Sequence, residues 1–191
     1  MKQTEIELQA KIEHTAPLLA FLEREGKFQH EKHQVDEYFT PAHRDFLAKR
    51  PVEEWFRLRN AGGAYFINYK KWHFDSEGRG LYVDEFETKL ENGHMARKIL
   101  ASLELKPVVI VEKVRKTWRY ADYEICLDSV KGLGDFVEIE YMGGREASEH
   151  KAILDEMIAF LKKLGCGKIE INYSGYPALL LFGREGRFDI V

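Results

Sequence analysis

The 191-residue sequence predicts an α+β fold that is mainly β, with about eight antiparallel strands in a barrel or sandwich and helices packed outside. Two observations carry that expectation. Apolar and polar residues alternate with a period of two along most of the chain, as in "FVEIEYM" at 136–142, where Val137, Ile139 and Tyr141 oppose Glu138 and Glu140. Three other segments instead place apolar residues at helical spacing. A hydrophobic content of 45% with 13% aromatic residues is enough to offset ordering entropy and build a core. No composition break marks a boundary, so residues 1–191 read as one domain.

Strand patterns fall at 3–13, 28–40, 54–60, 64–73, 81–89, 107–118, 121–130 and 135–143. The first helix is "TAPLLAFLERE", with Thr15 as candidate N-cap, Pro17 in the first turn, and Leu18, Leu19 and Leu22 at helical spacing. A second, "NGHMARKILASLEL", carries Met95, Ile99, Leu100 and Leu103 on one stripe, expected to cover the core, and stops before Pro107. The third runs from Ser148 to a stop at Gly165.

Composition excludes several classes. A net charge of -3 gives no reason to expect nucleic-acid binding. No apolar run approaches the roughly 20 residues of a membrane-spanning helix, and the N-terminus lacks a signal-peptide pattern, so a cytoplasmic protein is expected. Cys126 and Cys166 form neither a metal spacing nor a disulfide framework. His30 and His33 are separated by an odd number, which turns them to opposite faces of a strand. The "GCGK" at 165–168 follows a helix, whereas a phosphate-binding loop opens one.

The charged positions are more informative. Glu5 and Glu7 share a face in "TEIEL", Arg57 and Arg59 in "WFRLRN", Glu85 and Glu87 in "DEFET", Lys113 and Arg115 in "VEKVRKTW", and Glu138 and Glu140 in "FVEIEYM". Lys70 faces away from Tyr69 in "INYKKW", and Asp128 shares a face with Glu124 and Cys126. Neighbouring like charges repel, and a solvated sheet surface more often mixes signs at that spacing. Turned inward on a closed barrel, these faces converge on a lumen suited to a polyphosphate and a divalent cation. Arg and Lys donate charge-assisted hydrogen bonds to phosphate oxygens, and carboxylates are the hard ligands that Mg²⁺ or Mn²⁺ takes. A cation between them would let the two glutamates of "FVEIEYM" tolerate each other.

These strands resemble the CYTH family, also called triphosphate tunnel metalloenzymes, which includes class IV adenylyl cyclases and thiamine and inorganic triphosphatases. The most specific match is "EICLDSVKGLGDFVEIE", where an aspartate, a Gly-Leu-Gly turn and a Glu-x-Glu strand follow in order. The tail "INYSGYPALLLF" is similar to the closing Ser-Tyr-x-x-Leu-Leu segment, with its tyrosine displaced. The N-terminal Glu-x-Glu-x-Lys signature is altered: Gln9 stands where the family has lysine, and Lys11 lies on the same face two residues on. "HQVDEYFTPAHRDF" before the arginine strand leans toward the cyclases.

The resemblance implies a closed or nearly closed eight-stranded antiparallel tunnel barrel. It implies Mg²⁺ or Mn²⁺ held by Glu5, Glu7, Asp128, Glu138 and Glu140, and a triphosphate, ATP or polyphosphate, bound by Arg57, Arg59, Lys70, Glu85, Glu87, Lys113 and Arg115. Lys11 is the expected substitute for the missing lysine. Catalysis is expected from Glu5, Glu7, Lys70, Lys113 and Arg115, as a cyclase converting ATP to cyclic AMP and pyrophosphate or as a triphosphatase. A non-catalytic polyphosphate-binding module is the third possibility, kept open by Gln9. A homodimer is possible, with no nucleic-acid or membrane partner expected.

Overall fold

From the N-terminus the chain runs through β1 (Thr4–Glu5), β2 (Glu7–Ile12), α1 (Ala16–Glu25), β3 (Lys27–Thr40), β4 (Glu54–Ala61), β5 (Ala64–Phe74) and β6 (Gly80–Leu90). It continues through α2 (Gly93–Ser102), β7 (Lys106–Tyr120), β8 (Tyr123–Val130), β9 (Gly134–Tyr141) and a 3₁₀ turn (Ala147–Glu149) into α3 (His150–Lys163). The last elements are β10 (Ile169–Asn172), α4 (Gly175–Phe182) and β11 (Phe188–Ile190). The computed structural model describes residues 4–183 and 188–191.

All pairing is antiparallel, in the order β1-β6-β5-β4-β3-β7-β8-β9-β2-β10-β11. Because β1 and β2 are one strand interrupted at Ile6, Thr4–Glu5 pairs with β6 while Glu7–Ala10 pairs with β9. The N-terminal strand thus joins the two sides of the curled sheet. The expected strands are all present, but the count of eight is corrected upward: β10 adds a ninth beside β2, with the three-residue β11 beyond it. At four residues, "IEIN" is too short for alternation to announce it.

Alternation sorts the two faces of the sheet into different surroundings. On the outside, Ile6, Leu8, Ile125, Val137 and Ile139 pack under Leu18 and Leu22 of α1 and Ile153, Met157 and Leu161 of α3. Each of these fully buried apolar side chains contributes about 1.5–3 kcal/mol over an exposed one. A second outer cluster sets Leu100 of α2 against Phe39 and Leu58. The third cluster lies on the inner face, where α4 seats Tyr176, Ala178 and Leu179 against Tyr38, Trp55, Val111, Val130 and Phe136. This helix was not expected from the sequence, since "YPALLLF" is apolar throughout and has no helical periodicity to read.

Thr15 stands at the N-cap of α1 as expected, with Pro17 in the first turn, but makes no side-chain cap bond. The Asn92 side chain, by contrast, accepts from the Met95 N–H and caps α2. One expectation about α2 is corrected. The stripe of α2 does not cover the core: Leu100 alone is buried, while Met95, Ile99 and Leu103 are exposed. Between β8 and β9 the Gly-Leu-Gly turn places Gly132 and Gly134 at φ 82° and 87°, a region that side-chain-bearing residues rarely enter.

Candidate active site

The inner face of the sheet encloses a cavity of about 220 Å³. Glu5, Glu7, Arg57, Arg59, Lys70, Glu85, Glu87, Lys113, Arg115, Glu138 and Glu140 all line it. They come together through register: Glu7 lies across from Glu140, Gln9 from Glu138, Glu140 from Glu124, and Lys70 from Glu85. Period-two alternation then turns each pair to the same side.

One group of charges centres on Lys70. Its Nζ lies 3.0 Å from Glu7, 3.4 Å from Glu5 and 2.6 Å from Glu85. Three carboxylates around one ammonium leave excess negative charge in a buried site, and the protonation equilibria respond. Burial pushes the Glu5 carboxyl up to about 9, with Lys70 opposing and a hydrogen bond to Glu85 assisting. Burial and the facing Glu7 push Glu140 up to about 7, and burial raises Glu7 as well. Burial would also neutralise Lys70, but Glu7, Glu85 and Glu5 outweigh it and hold the ammonium charged.

The second group is basic and internally buttressed. Asp36 accepts a bidentate pair from Arg59 at 2.7 and 2.8 Å, with Arg57 Nη1 at 3.4 Å. Burial alone would raise Asp36; Arg59 and Arg57 prevail and keep it below the ordinary carboxylate range. Asp128 does the same work one sector round the barrel, accepting from Lys113 Nζ at 3.1 Å, Arg115 Nε at 2.7 Å and the Tyr176 hydroxyl at 2.8 Å. Arg115 also reaches Glu138 at 2.8 Å. Burial and Arg115 together depress the Lys113 ammonium below its usual value.

Arg57 retains unspent capacity. Its Nε is a buried donor without an acceptor, the guanidinium being only 3.8 Å and 3.9 Å from Glu85 and Glu87. The Nε is shut off from the cavity, but Nη2, beyond hydrogen-bond range of both glutamates at 3.8 and 3.9 Å, leaves the fork of this cavity-lining arginine a donor of the kind that a phosphate oxygen fits. Glu5, Glu7 and Glu140 are oxygen donors on adjoining strands whose proton affinity is raised first by burial, and among the described residues no three ligating side chains are placed together to hold a metal ion.

Two expected site residues lie elsewhere. Asp128 is under the lumen wall, not in it, with both carboxylate oxygens engaged by Lys113, Arg115 and Tyr176. It serves as their counter-ion and is not among the residues that line the cavity. Lys11 does not line the lumen either: its Nζ donates to the Leu133 carbonyl at 2.7 Å and rests 4.8 Å over the Phe136 ring. Gln9 occupies the lumen wall without a basic substitute, donating to Glu138 at 3.0 Å and accepting from Asn172.

Residues not expected at the site include Asn68, Tyr38, Trp55, Trp72, Glu124 and Tyr176. Asn68 could have been found two residues before Lys70 on the same strand face, and Tyr38 two after Asp36. Tyr176 arrives on α4 and has no strand parity to reveal it; its only signal was the resemblance of the tail "INYSGYPALLLF" to the family's closing segment. Cys126 is buried, and burial pushes its thiol up to about 11, consistent with the packing role expected of it.

With this geometry established, comparison with known proteins decides the lineage. The family model described as the CYTH domain matches residues 3–171. The chain belongs to the CYTH domain family. Among CYTH relatives, the Methanocaldococcus jannaschii protein named "Putative adenylate cyclase MJ0240" is 32% identical over 176 residues, covering 92% of this chain and 97% of the relative. The structure of the PH1819 protein from Pyrococcus horikoshii OT3 superposes with a TM-score of 0.76 at 26% identity, covering 93% of this CYTH chain and 98% of the other. The Hippeastrum protein HpAC1, for which a dominant triphosphatase activity is stated, shares the fold at a TM-score of 0.62 and 21% identity, with 97% of each chain covered. Among the described residues no helix is long and apolar enough to cross a membrane.

Proposed function

We infer that this protein is a metal-dependent enzyme that binds a nucleoside triphosphate in the lumen and converts it, as an adenylyl cyclase, to cyclic AMP and pyrophosphate. The observation that carries the reading is the meeting of Arg57, Arg59, Lys113 and Arg115 with Glu5, Glu7 and Glu140 in one cavity. The cyclase assignment is supported by the name of the 32%-identical relative.

The basic side chains would grip the phosphate oxygens and stabilise charge developing on the departing pyrophosphate. Asp36 and Asp128 hold those cations at fixed angles, so little reorganisation accompanies reaction. Lys70, kept charged by its carboxylates, adds a further donor. Mg²⁺ or Mn²⁺ would be held by Glu5, Glu7, Glu138 and Glu140, and when bound supplies charge neutralisation and orients the phosphate chain. Which oxygen lies in line with which phosphorus then selects the reaction: a ribose 3′-oxygen at the α-phosphorus gives the cyclase.

A triphosphatase is the second reading, favoured by the activity stated for the Hippeastrum structure of the same fold. Incubation of the purified protein with ATP and with tripolyphosphate, each with Mg²⁺, Mn²⁺ or EDTA, tests both. Metal-dependent cyclic AMP and pyrophosphate are expected. Orthophosphate without cyclic AMP would replace the cyclase reading by the triphosphatase one, and absence of turnover under all conditions would overturn the enzyme.

A further inference from the structure

The outer face of the curled sheet is unevenly covered. Two helices, α1 and α3, lie over Leu8, Ile125, Val137 and Ile139 of β2, β8 and β9. The other half, β3 to β6, has only the ten-residue α2, which packs Leu100 on Phe39 and Leu58. A helix is about 10 Å wide and strands stand about 4.8 Å apart, so α2 shields roughly two of those four strands. Register carries the same outer face past the helix on both sides. Ile110 lies across Glu37 from Leu58, and Arg97 of α2 donates to that Glu37 at 2.6 Å. Phe86 lies across Tyr69 from Phe56, which packs in the α2 cluster. Both are exposed, as is the α2 stripe of Met95, Ile99 and Leu103 at 51%, 53% and 65%. Five of the nine large apolar side chains exposed among the described residues therefore gather on one face. Such residues scattered singly are ordinary on a monomer, whereas a gathered group marks a contact surface.

The stripe is symmetric about its own centre. Met95 and Leu103 each stand four residues from Ile99, so a second α2 laid antiparallel on the first sets Ile99 on the partner's Ile99 and Met95 on the partner's Leu103, twice over. A two-fold interface needs this self-complementarity, because each of its contacts is made in both directions. Charge at the helix ends agrees. Exposed Glu91 precedes the N-cap Asn92, and exposed Lys106 opens β7 just after the helix. Antiparallel pairing brings the start of each helix to the end of the other, so Glu91 meets the partner's Lys106 at both ends. It also sets opposed helix dipoles side by side. Lys98 and Glu104 sit about 100° and 140° round the helix from Ile99, at the solvated rim.

We propose that this face joins two copies of the chain through antiparallel packing of α2 on α2, with the two-fold axis at Ile99 and with Phe86 and Ile110 at the flanks. The partner is a second copy because the patch matches itself in spacing, in shape and in the charges at its two ends. The interface occupies the outside of the sheet, and the lumen lies on the inside. Pairing therefore leaves the charged cavity of each copy free, and the proposal stands apart from what that cavity binds.

Sedimentation equilibrium of the full chain should show a monomer–dimer equilibrium whose dimer has twice the 22.3 kDa mass. Ile99→Asp sets two carboxylates face to face on the axis and should raise the dissociation constant by about a hundredfold or more. Ile99 is already half exposed in one copy, so the variant should unfold in urea as the dilute wild type does. Glu91→Lys and Lys106→Glu should each weaken the dimer by about twofold to thirtyfold, as for two exposed ion pairs lost, and the double variant should recover. Ile99→Cys should form a disulfide between copies under mild oxidation by diamide, where the wild type, with Cys126 and Cys166 buried, forms none. A wild type that stays monomeric at the highest soluble concentration, a dimer that survives Ile99→Asp, or an Ile99→Cys variant that does not cross-link would each overturn the proposal. A monomer that instead co-sediments with anionic phospholipid vesicles, and loses this in Ile99→Asp, would also overturn it and assign the face to a membrane surface.

Discussion

Replacing Asp128 by asparagine removes one negative charge from beneath the lumen while preserving shape. The side chains of Asp128 and Lys113 are 0% and 3% exposed, and that of Arg115 12%, so solvent cannot compensate. Removing one partner of a buried ion pair costs ~3–5 kcal/mol. The low end applies, because the amide oxygen still accepts from Tyr176 or Lys113 and Arg115 retains Glu138 at 2.8 Å. A loss of about 3 kcal/mol corresponds to a fall in Tm of roughly 6–12 °C at this chain length.

Urea unfolding followed by circular dichroism would measure the loss, and its pH dependence has a definite sign. Arg115 and Lys113 outweigh burial and depress the Asp128 carboxyl, so its contribution is fully present above the ordinary value of 3.8 and is lost as pH falls below it. The gap between wild type and variant should therefore close in acid. Tripolyphosphate should also stabilise the variant more than the wild type, since an anion meets two cations that lack their internal partner. A variant of wild-type stability that had lost divalent-cation binding would refute the counter-ion role and restore Asp128 as a ligand.

Other outcomes follow from the same geometry. Arg57→Ala removes a guanidinium from the lumen wall and should weaken tripolyphosphate binding by about tenfold to a hundredfold in calorimetry, as expected for a charge-assisted hydrogen bond of ~1.5–3 kcal/mol; unchanged affinity would place the phosphate elsewhere. Glu140, at about 7 in the fold against 4.5 ordinarily, keeps its proton longer when folded, so ligand-free stability should decline from about pH 4.5 to pH 7. Mn²⁺ affinity should begin to rise near pH 7 as that proton leaves, and Glu140→Gln should make both profiles shallower in this range while leaving the part that the raised Glu5 and Glu7 contribute. Lys11→Ala should leave tripolyphosphate affinity within about twofold and cost about 1 kcal/mol of stability from its bond to the Leu133 carbonyl; a large loss of affinity would return Lys11 to the site.

The sequence by itself determined which side of each strand carries charge. Glu138 and Glu140 cannot share a face with Ile139, and the same parity sorts Arg57 from Leu58 and Lys113 from Val114, so the convergence of these groups was legible once the sheet was expected to curl. Parity also put the apolar faces outside, where α1 and α3 cover them. It could not rank positions along a strand. Gln9 and Lys11 share a face, yet Gln9 meets Glu138 while Lys11 ends on the Leu133 carbonyl over the ring of Phe136, which packs against α4. Nor could parity say which opposite charges pair. Glu138 and Asp128 look alike in sequence, but cross-strand register sets Asp128 directly opposite Arg115, and α4 delivers Tyr176 to the same carboxylate. Charge placement on a strand is a local property of the backbone, fixed by the period of two. Pairing and occlusion depend on elements far apart in the chain, and only the curled sheet with α4 on its inner face brings those together.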